Sequence, residues 1–186
     1  LLPLLHFTYS AINPVAVKSL MKAIGLPAGD LRKPLTGLDR EALAKGVRIE
    51  SLTTADGDPV RSEAHARALL ARHPDPFDAV VLGMGQDAHT ASLFPGAAQL
   101  AAALDPADKQ GAHRIDPDPL PPEAPFPRIT LSLPRLLQAR SLHLALSGEP
   151  KRAILRRAQA GGRDVRLPIS EVLHAPGVTV DVHWSP

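Results

Sequence analysis

The chain has 186 residues, 44% of them hydrophobic, with a formal net charge of +2 and no cysteine. This length suits one domain or one domain with an appendage, and so small a charge excludes a general attraction for nucleic acid or an anionic membrane. Without cysteine there are no disulfides or thiolate metal sites, and no run reaches the ~20 apolar residues of a membrane span. We therefore expect a soluble cytoplasmic protein.

Segments typical of helices and strands alternate along the chain, which predicts an α/β fold. The expected architecture is a mostly parallel, Rossmann-like sheet with helices on both faces. The predicted elements, in chain order, are a helix at 15–24, a short helix at 40–45, a strand at 47–52, a helix at 62–72, strands at 77–83, 128–133 and 141–147, a helix at 149–160 and a strand at 178–184.

One segment interrupts this alternation. Residues 105–127 read DPADKQGAHRIDPDPLPPEAPFP, and proline cannot join a central strand ladder. An irregular surface loop is the simpler interpretation of this segment. The alternative is a lid that flanks a binding site.

Residues 80–96, VVLGMGQDAHTASLFPG, carry the polar groups most suited to chemistry. They follow a predicted strand, and ligands of open α/β sheets bind beyond the carboxyl ends of strands. Gly83 and Gly85 allow a sharp turn and a close approach to a ligand, and His89 is expected to point from the loop toward the crevice. From the pattern alone, His89 is either a catalyst or a hydrogen-bonded surface group. Three further residues are candidates to cap a following short helix: Asp87, Thr90 and Ser92.

The segment GMGQDAHTASLFPG closely resembles the signature of the 6-phosphogluconolactonases, which has glycine where this chain has Ala88. If that position requires a positive φ angle, alanine strains the loop by about 1 kcal/mol or more. The resemblance continues through PRITLSLPRLL, SGEPKRAIL and LPISEVL and covers roughly residues 52–184. It implies the fold shared by glucosamine-6-phosphate isomerases and 6-phosphogluconolactonases.

The resemblance also implies an activity: hydrolysis of 6-phospho-D-glucono-1,5-lactone to 6-phosphogluconate in the pentose phosphate pathway, with no metal or organic cofactor. His89 is the expected general base, since histidine titrates near neutral pH, and Asp87 is expected to orient the imidazole or the loop backbone. Arg128 and Lys151 match the family's cationic positions for the phosphate and the developing oxyanion. The remaining residues expected to bind substrate are Gly83, Gly85, Thr90 and Ser92.

Simpler interpretations of these residues stay open. Arg128 could merely flank an edge strand, and Lys151 belongs to a basic run that is chiefly a solvated helix face. Structural roles are favoured for His143 and His183, which alternate with apolar strand residues. No cluster has the spacing of metal ligands, so a metal site is not expected. The other members of the basic run are Arg152, Arg156 and Arg157.

A related family, the glucosamine-6-phosphate deaminases, carries a similar Asp-Gly-His loop followed by Ile-Ala-Phe-Asn-Glu-Pro. Here Ser92, Leu93 and Phe94 replace the segment that holds the deaminase glutamate. A lactonase is therefore favoured over an amino-sugar-phosphate isomerase.

The first third differs. Residues 12–43, INPVAVKSLMKAIGLPAGDLRKPLTGLDREAL, resemble the carboxyl-terminal helices of dihydrodipicolinate synthases, although Lys18 does not match that family's Schiff-base lysine. This predicts a composite chain with a helical segment at 1–47 joined near Arg48 to a lactonase-like domain at 48–186. The helical segment is expected to cover a face of the sheet without supplying paired strands. A lactonase with a strongly diverged front part is the alternative.

The lactonase phosphate loop, Ser-Gly-Gly-x-Thr-Pro, and an Asp-Glu-Arg motif are both absent from the 186 residues. The lactonase-like fold is therefore expected to be incomplete at its amino-terminal side. A catalytically impaired protein that still binds phosphorylated sugars is the alternative function, and oligomeric state is left open.

Overall fold

The structure, a computed structural model, describes the backbone of residues 5–7 and the whole of residues 50–121 and 125–186. The predicted helices at 15–24 and 40–45 lie outside these residues. The helices and strands of the described part are β1 (Leu5–Phe7), α1 (Pro59–Ala71), β2 (Ala79–Leu82), α2 (Leu100–Leu104), β3 (Ala112–Ile115), β4 (Arg128–Leu131), α3 (Leu133–Leu137), β5 (Leu142–Ser147), α4 (Glu149–Gly161), α5 (Ile169–Leu173) and β6 (Asp181–Ser185).

Four strands form the main sheet in the order β1-β2-β5-β6, and every neighbouring pair is parallel. This confirms the predicted α/β fold with a mostly parallel sheet. Val80 and Leu82 of β2 belong to the principal hydrophobic core, whereas Val81 is buried with Ala145 on the opposite face. A strand buried on both faces explains why its sequence is continuously apolar rather than alternating.

Local sequence signals set both long helices. The Asp58 carboxylate accepts a hydrogen bond from the Arg61 N–H at 2.7 Å, so α1 begins a few residues before the predicted position 62. Pro59 occupies the first turn, where its missing N–H has no partner to lose. At the other end of the domain, α4 stops at Gly162, which has a φ of +72°. The predicted helices at 62–72 and 149–160 are thus confirmed.

The strand predicted at 47–52 is wrong where the structure describes it, because residues 50–52 have no regular structure. The Ser51 hydroxyl accepts the Thr53 N–H at 3.1 Å, and the Ser62 hydroxyl accepts the Thr54 N–H at 3.1 Å. Side-chain acceptors of this kind compete with a strand ladder for backbone groups.

The proline-rich segment at 105–127 is not irregular throughout. Its stretch Ala112–Ile115 is strand β3, which pairs with β4 in an antiparallel two-stranded sheet. No proline falls between residues 107 and 116, so the N–H groups of β3 are free to join the ladder. The strand buries Ala112 and Ile115 in the core. The loop interpretation is corrected for this stretch.

The amino-terminal segment contributes a strand. Leu5, His6 and Phe7 pair in parallel with Ala79, Val80 and Val81. The expectation that residues 1–46 supply no paired strand is therefore wrong at 5–7. The physical reason is that the buried backbone of β2 requires hydrogen-bond partners along both edges.

The core lies between the main sheet, the β3–β4 pair and the helices that follow them. Helix α1 packs on β3 and β4, and α4 packs on β5 and α5. Within the described residues, none of the helices has the length and apolar character needed to cross a membrane. The largest fully buried side chains include Leu82, Leu93, Leu131, Leu144 and Ile169.

Candidate active site

Two neighbouring parallel strands, β2 and β5, deliver the predicted site residues to one edge of the main sheet. Leu82 ends β2 opposite Leu144 of β5, and the signature loop begins at Gly83. After β5, the chain turns at Gly148 directly into α4. The loop and the first turn of α4 therefore lie at the carboxyl ends of adjacent strands, which is where α/β proteins place ligands.

The signature loop is closed by its own hydrogen bonds. The Gly85 N–H donates to the His89 carbonyl at 2.9 Å, and the Ala88 N–H donates to the Gly85 carbonyl at 3.2 Å. The Thr90 hydroxyl, fully buried, donates to the Gly83 carbonyl at 2.8 Å. Thr90 is thus engaged inside the loop, and its contact with substrate stays a prediction.

Gly85 allows the loop to close on its own side chains. A Cβ atom at this position would overlap the Nδ1 and Cε1 atoms of His89 and come within 2.5 Å of the Asp87 carboxylate. Every residue other than glycine carries a Cβ atom, so any substitution at Gly85 displaces the Asp87–His89 pair. The sequence predicts a close approach of Gly85 to a ligand, and the structure adds a close approach to these two side chains.

Ala88 adopts a φ of +66°, so the position that carries glycine in the family signature does require the left-handed region. Its neighbour in the loop, Ala91, has a φ of +48°. The Ala88 carbonyl accepts the Ile169 N–H of α5 at 3.0 Å, and its side chain is completely buried. Tertiary contacts therefore hold Ala88 in a conformation that its own side chain disfavours.

Asp87 and His89 form the central pair of the site. The His89 Nδ1 atom lies 2.5 Å from Oδ1 of Asp87, and the His89 main-chain N–H donates to the same oxygen at 3.1 Å. Partial burial raises the pKa of Asp87, but the hydrogen bonds and charge of His89 outweigh it, so the pKa lies below its ordinary value. His89 is 7% exposed, and its ring packs against Phe94 with 4.2 Å between the ring centroids and 30° between the ring planes.

Lys151 lies in the first turn of α4, the helix that follows the strand next to β2. Partial burial lowers the pKa of its ammonium group, and the negative charge of Asp87 opposes part of that shift. The structure therefore places Lys151 and the Asp87–His89 pair after the carboxyl ends of adjacent parallel strands, and their joint action in one site stays a prediction.

Arg128 is connected to the site indirectly. The Ser92 N–H of the loop donates to the buried Thr130 hydroxyl of β4 at 3.2 Å. Arg128 precedes Thr130 by two residues, and residues two apart in a strand share a face. Its guanidinium lies 5.0 Å from the Phe126 ring centroid and donates to the Phe126 carbonyl, and burial lowers its pKa. Arg128 thus stands on the side of β4 that contacts the loop.

Some expectations for this region differ from the structure. Asp87, Thr90 and Ser92 do not cap a helix, because the next helix, α2, begins only at Leu100 with Gln99 at its N-cap. The positive φ angles of Ala88 and Ala91 interrupt any helical turn earlier in the loop. The supporting residues Thr130 and Ile169 were not predicted, and no local pattern signals them, because their contacts join distant parts of the chain.

The other two histidines considered from sequence lie away from the loop, on β5 and β6. His143 Nδ1 is 3.2 Å from His183 Nε2, and 3.6 Å from the Asp181 carboxylate. The contact between the two imidazoles thus links the neighbouring strands β5 and β6. Over residues 50–121 and 125–186, no group of three or more histidine, aspartate or glutamate side chains is arranged to hold a metal ion.

Comparisons with known proteins agree on the family. The sequence profile of the family described as glucosamine-6-phosphate isomerases/6-phosphogluconolactonase matches residues 32–184. The 6-phosphogluconolactonase of Pseudomonas aeruginosa is 37% identical over 154 residues, which cover 81% of this chain and 62% of that protein. The one of Mesorhizobium japonicum is 44% identical over 119 residues, 64% of this chain and 48% of that protein.

A solved structure gives the same result. The crystal structure of a 6-phosphogluconolactonase from Shewanella baltica superposes with a TM-score of 0.71 at 34% identity, covering 84% of this chain and 66% of that chain. The chain thus spans about half to two thirds of the length of these relatives. The profile match begins at residue 32, earlier than the boundary expected near residue 48, and the resemblance of residues 12–43 to dihydrodipicolinate synthases stays a prediction.

A parallel sheet, a signature loop closed around an Asp87–His89 pair and an extended profile match all lead to one assignment: the chain belongs to the glucosamine-6-phosphate isomerase/6-phosphogluconolactonase family.

Proposed function

We propose that this protein hydrolyses 6-phospho-D-glucono-1,5-lactone to 6-phosphogluconate, with His89 as general base. The observation that carries this proposal is the 2.5 Å contact between the Asp87 carboxylate and His89 Nδ1. An imidazole held by a carboxylate at one nitrogen can accept a proton at the other. That is the arrangement needed to activate water for attack on an ester.

The proposed reaction has two proton movements. His89 Nε2 removes a proton from water as the oxygen attacks the lactone carbonyl, and the carbonyl oxygen becomes negatively charged. When the tetrahedral intermediate collapses, the ring carbon–oxygen bond breaks, and the imidazolium returns the proton to the leaving alkoxide. Asp87 holds the imidazole in position and stabilises its positive form throughout, as the hydrogen bond at Nδ1 supports.

Lys151 and Arg128 are the proposed contacts for the phosphate and the oxyanion. The reduced pKa of Lys151 reflects a partly desolvated ammonium, and a cation held away from water interacts more strongly with an anion. Arg128 is preoriented by its contacts with Phe126. The loop residues Gly83, Gly85, Thr90 and Ser92 serve this proposal by setting the loop's shape around the pair.

The substrate is a phosphorylated sugar lactone, and the reaction proposed here requires no metal or organic cofactor. A cytoplasmic location accords with a chain that has no cysteine. Binding of phosphorylated sugars without turnover is the second candidate. It is favoured by the positive φ angle of Ala88, which strains the loop at the position that carries glycine in the family signature.

The test compares lactone hydrolysis by the protein with the spontaneous rate. His89→Gln should lower the enzymatic rate by about 10² to 10⁴, the usual contribution of a general base. His65→Gln, which changes an exposed histidine on α1, is the matched control and should retain full activity.

Calorimetric titration with 6-phosphogluconate separates the two candidates. Saturable binding together with hydrolysis supports the lactonase, and binding without hydrolysis supports the second candidate. Hydrolysis that survives His89→Gln would contradict the assignment of the general base, and a protein that neither binds nor hydrolyses would contradict both candidates.

A further inference from the structure

The turn that leads from β5 into α4 is held by the end of the neighbouring strand, β6. The Gly148 N–H donates to the Ser185 carbonyl at 2.9 Å. The Trp184 indole N–H donates to the Gly148 carbonyl at 3.3 Å. Trp184 and Ser185 of β6 thus form hydrogen bonds with both the carbonyl and the N–H of Gly148, the N-cap residue of α4.

The same tryptophan contacts the first turn of α4. The Gly148 carbonyl also accepts the Arg152 N–H at 3.2 Å, which is the first main-chain hydrogen bond of the helix. The Arg152 guanidinium stacks over the Trp184 ring at 4.2 Å from its centroid, and its Nη1 donates to the Glu149 carboxylate at 2.9 Å. Lys151 lies between Glu149 and Arg152, so Trp184 touches the chain on both sides of it.

We infer that Trp184 is a positioning residue for Lys151, a role whose catalytic meaning rests on the proposed function. The Lys151 side chain is half-buried in the first turn of α4, so its ammonium position depends on where the α4 backbone begins. The indole fixes that backbone against the sheet through one hydrogen bond and one stacked cation. Small displacements of groups that bind substrate have large effects on rate, so such support matters.

Trp184 is suited to this work by its chemistry. Phenylalanine would stack on Arg152 but could not donate to Gly148, and leucine could do neither. Trp184 is half-buried and packs against the hydrophobic core, which fixes the position of its ring. Its register partner is Leu146 of β5, near the strand end from which the turn departs.

The first test needs no substrate. Reductive methylation with formaldehyde, followed by peptide mass spectrometry, measures how quickly each lysine side chain reacts. Trp184→Phe should raise the labelling rate of Lys151 about three- to tenfold, the range for loss of one hydrogen bond. Lys109 is exposed and lies far from this turn in sequence, so its rate is the internal control. An unchanged Lys151 rate in a folded variant would overturn the inference.

The second test uses binding of 6-phosphogluconate, followed by calorimetry. Trp184→Phe should raise Kd about three- to tenfold, and in a Lys151→Met background it should add nothing, because the positioned group is gone. Val182→Thr, which changes an exposed residue of the same strand, is the control. Equal effects of Trp184→Phe on Kd with and without Lys151 would show that the tryptophan does not act through Lys151, which overturns the inference.

The two tests separate the inference from the proposed function. If Lys151→Met leaves binding unchanged, the proposed role of Lys151 in the site is wrong, and the labelling rates still decide whether Trp184 positions it. If Lys151→Met weakens binding but Trp184→Phe changes neither labelling nor binding, the inference is wrong and the proposed function stands.

Discussion

Oδ1 of Asp87 accepts two hydrogen bonds from His89, one from the ring Nδ1 at 2.5 Å and one from the main-chain N–H at 3.1 Å. A single carboxylate oxygen thus fixes both the backbone and the ring of the same residue. This orients the imidazole and selects the tautomer with its proton on Nδ1 while the ring is neutral.

Asp87→Asn tests that relationship. The amide preserves the shape but removes the charge and can present an N–H to the ring, so we expect kcat for lactone hydrolysis to fall by about 10²-fold or more with a smaller change in KM. Asp105→Asn, at an exposed aspartate, is the control. Wild-type kcat in Asp87→Asn would show that the carboxylate does not support His89.

The same pair predicts a pH dependence of stability. The folded protein holds the pKa of Asp87 below its unfolded value, so the ionised carboxylate stabilises the fold. This contribution is fully present above the unfolded pKa and disappears as pH falls through the folded pKa. Denaturant unfolding should therefore separate Asp87→Asn from the unmutated protein at neutral pH, and the difference should vanish in strong acid. A difference that grows toward acid pH would contradict the sign of the shift.

Gly85→Ala should abolish most activity. The added Cβ overlaps the His89 ring and crowds Asp87, so the pair must separate or the loop must open. We expect a loss of about 10²-fold in kcat and a lower melting temperature, since overpacking commonly destabilises by about 1 to 3 kcal/mol. Gly161→Ala is the matched control, because its Cβ would meet no atom within 4 Å and it lies in a helix. Equal behaviour of the two variants would contradict this account of Gly85.

Ala88→Gly should stabilise the protein. Its φ of +66° is strained for alanine, and glycine removes a penalty of about 1 to 2 kcal/mol against some gain in unfolded-state entropy. The expected net gain in the free energy of unfolding is up to about 1 kcal/mol. Ala68→Gly, at an exposed position inside α1, should instead destabilise by about 1 kcal/mol. Chemical denaturation measures both, and a destabilised Ala88→Gly would show that packing of the Ala88 methyl outweighs the strain.

Lys151→Met should separate binding from stability. We expect a KM about tenfold higher or more for the phosphorylated lactone, and a smaller effect for unphosphorylated gluconolactone, because a charge-assisted contact is lost. Stability at neutral pH should be unchanged or higher, because burial disfavours the charged ammonium in the fold. As pH rises through the folded pKa toward the unfolded value, the unmutated protein should gain stability relative to the variant. A variant that loses stability at neutral pH would contradict this.

Local sequence determined a large part of this protein. The apolar run of β2, the capped helix α1 and the glycine that ends α4 are set by interactions within a few residues, so their patterns predict them directly. The family resemblance of the signature loop likewise predicts that Asp87 orients the imidazole or the loop backbone, and both contacts join residues only two positions apart.

The tertiary structure decided what depends on distant contacts. Strand β3 forms inside a proline-rich segment because β4 offers it a partner, whereas residues 50–52 lose a predicted strand to side-chain acceptors. The signature loop follows β2 and Lys151 follows β5, and the parallel pairing of these two strands, which no local pattern encodes, brings both segments to one edge of the sheet. The positive φ of Ala88 is held by the Ile169 N–H, far along the chain. Local sequence sets the preferences of short segments, but only packing supplies the long-range hydrogen bonds and burial that select among them.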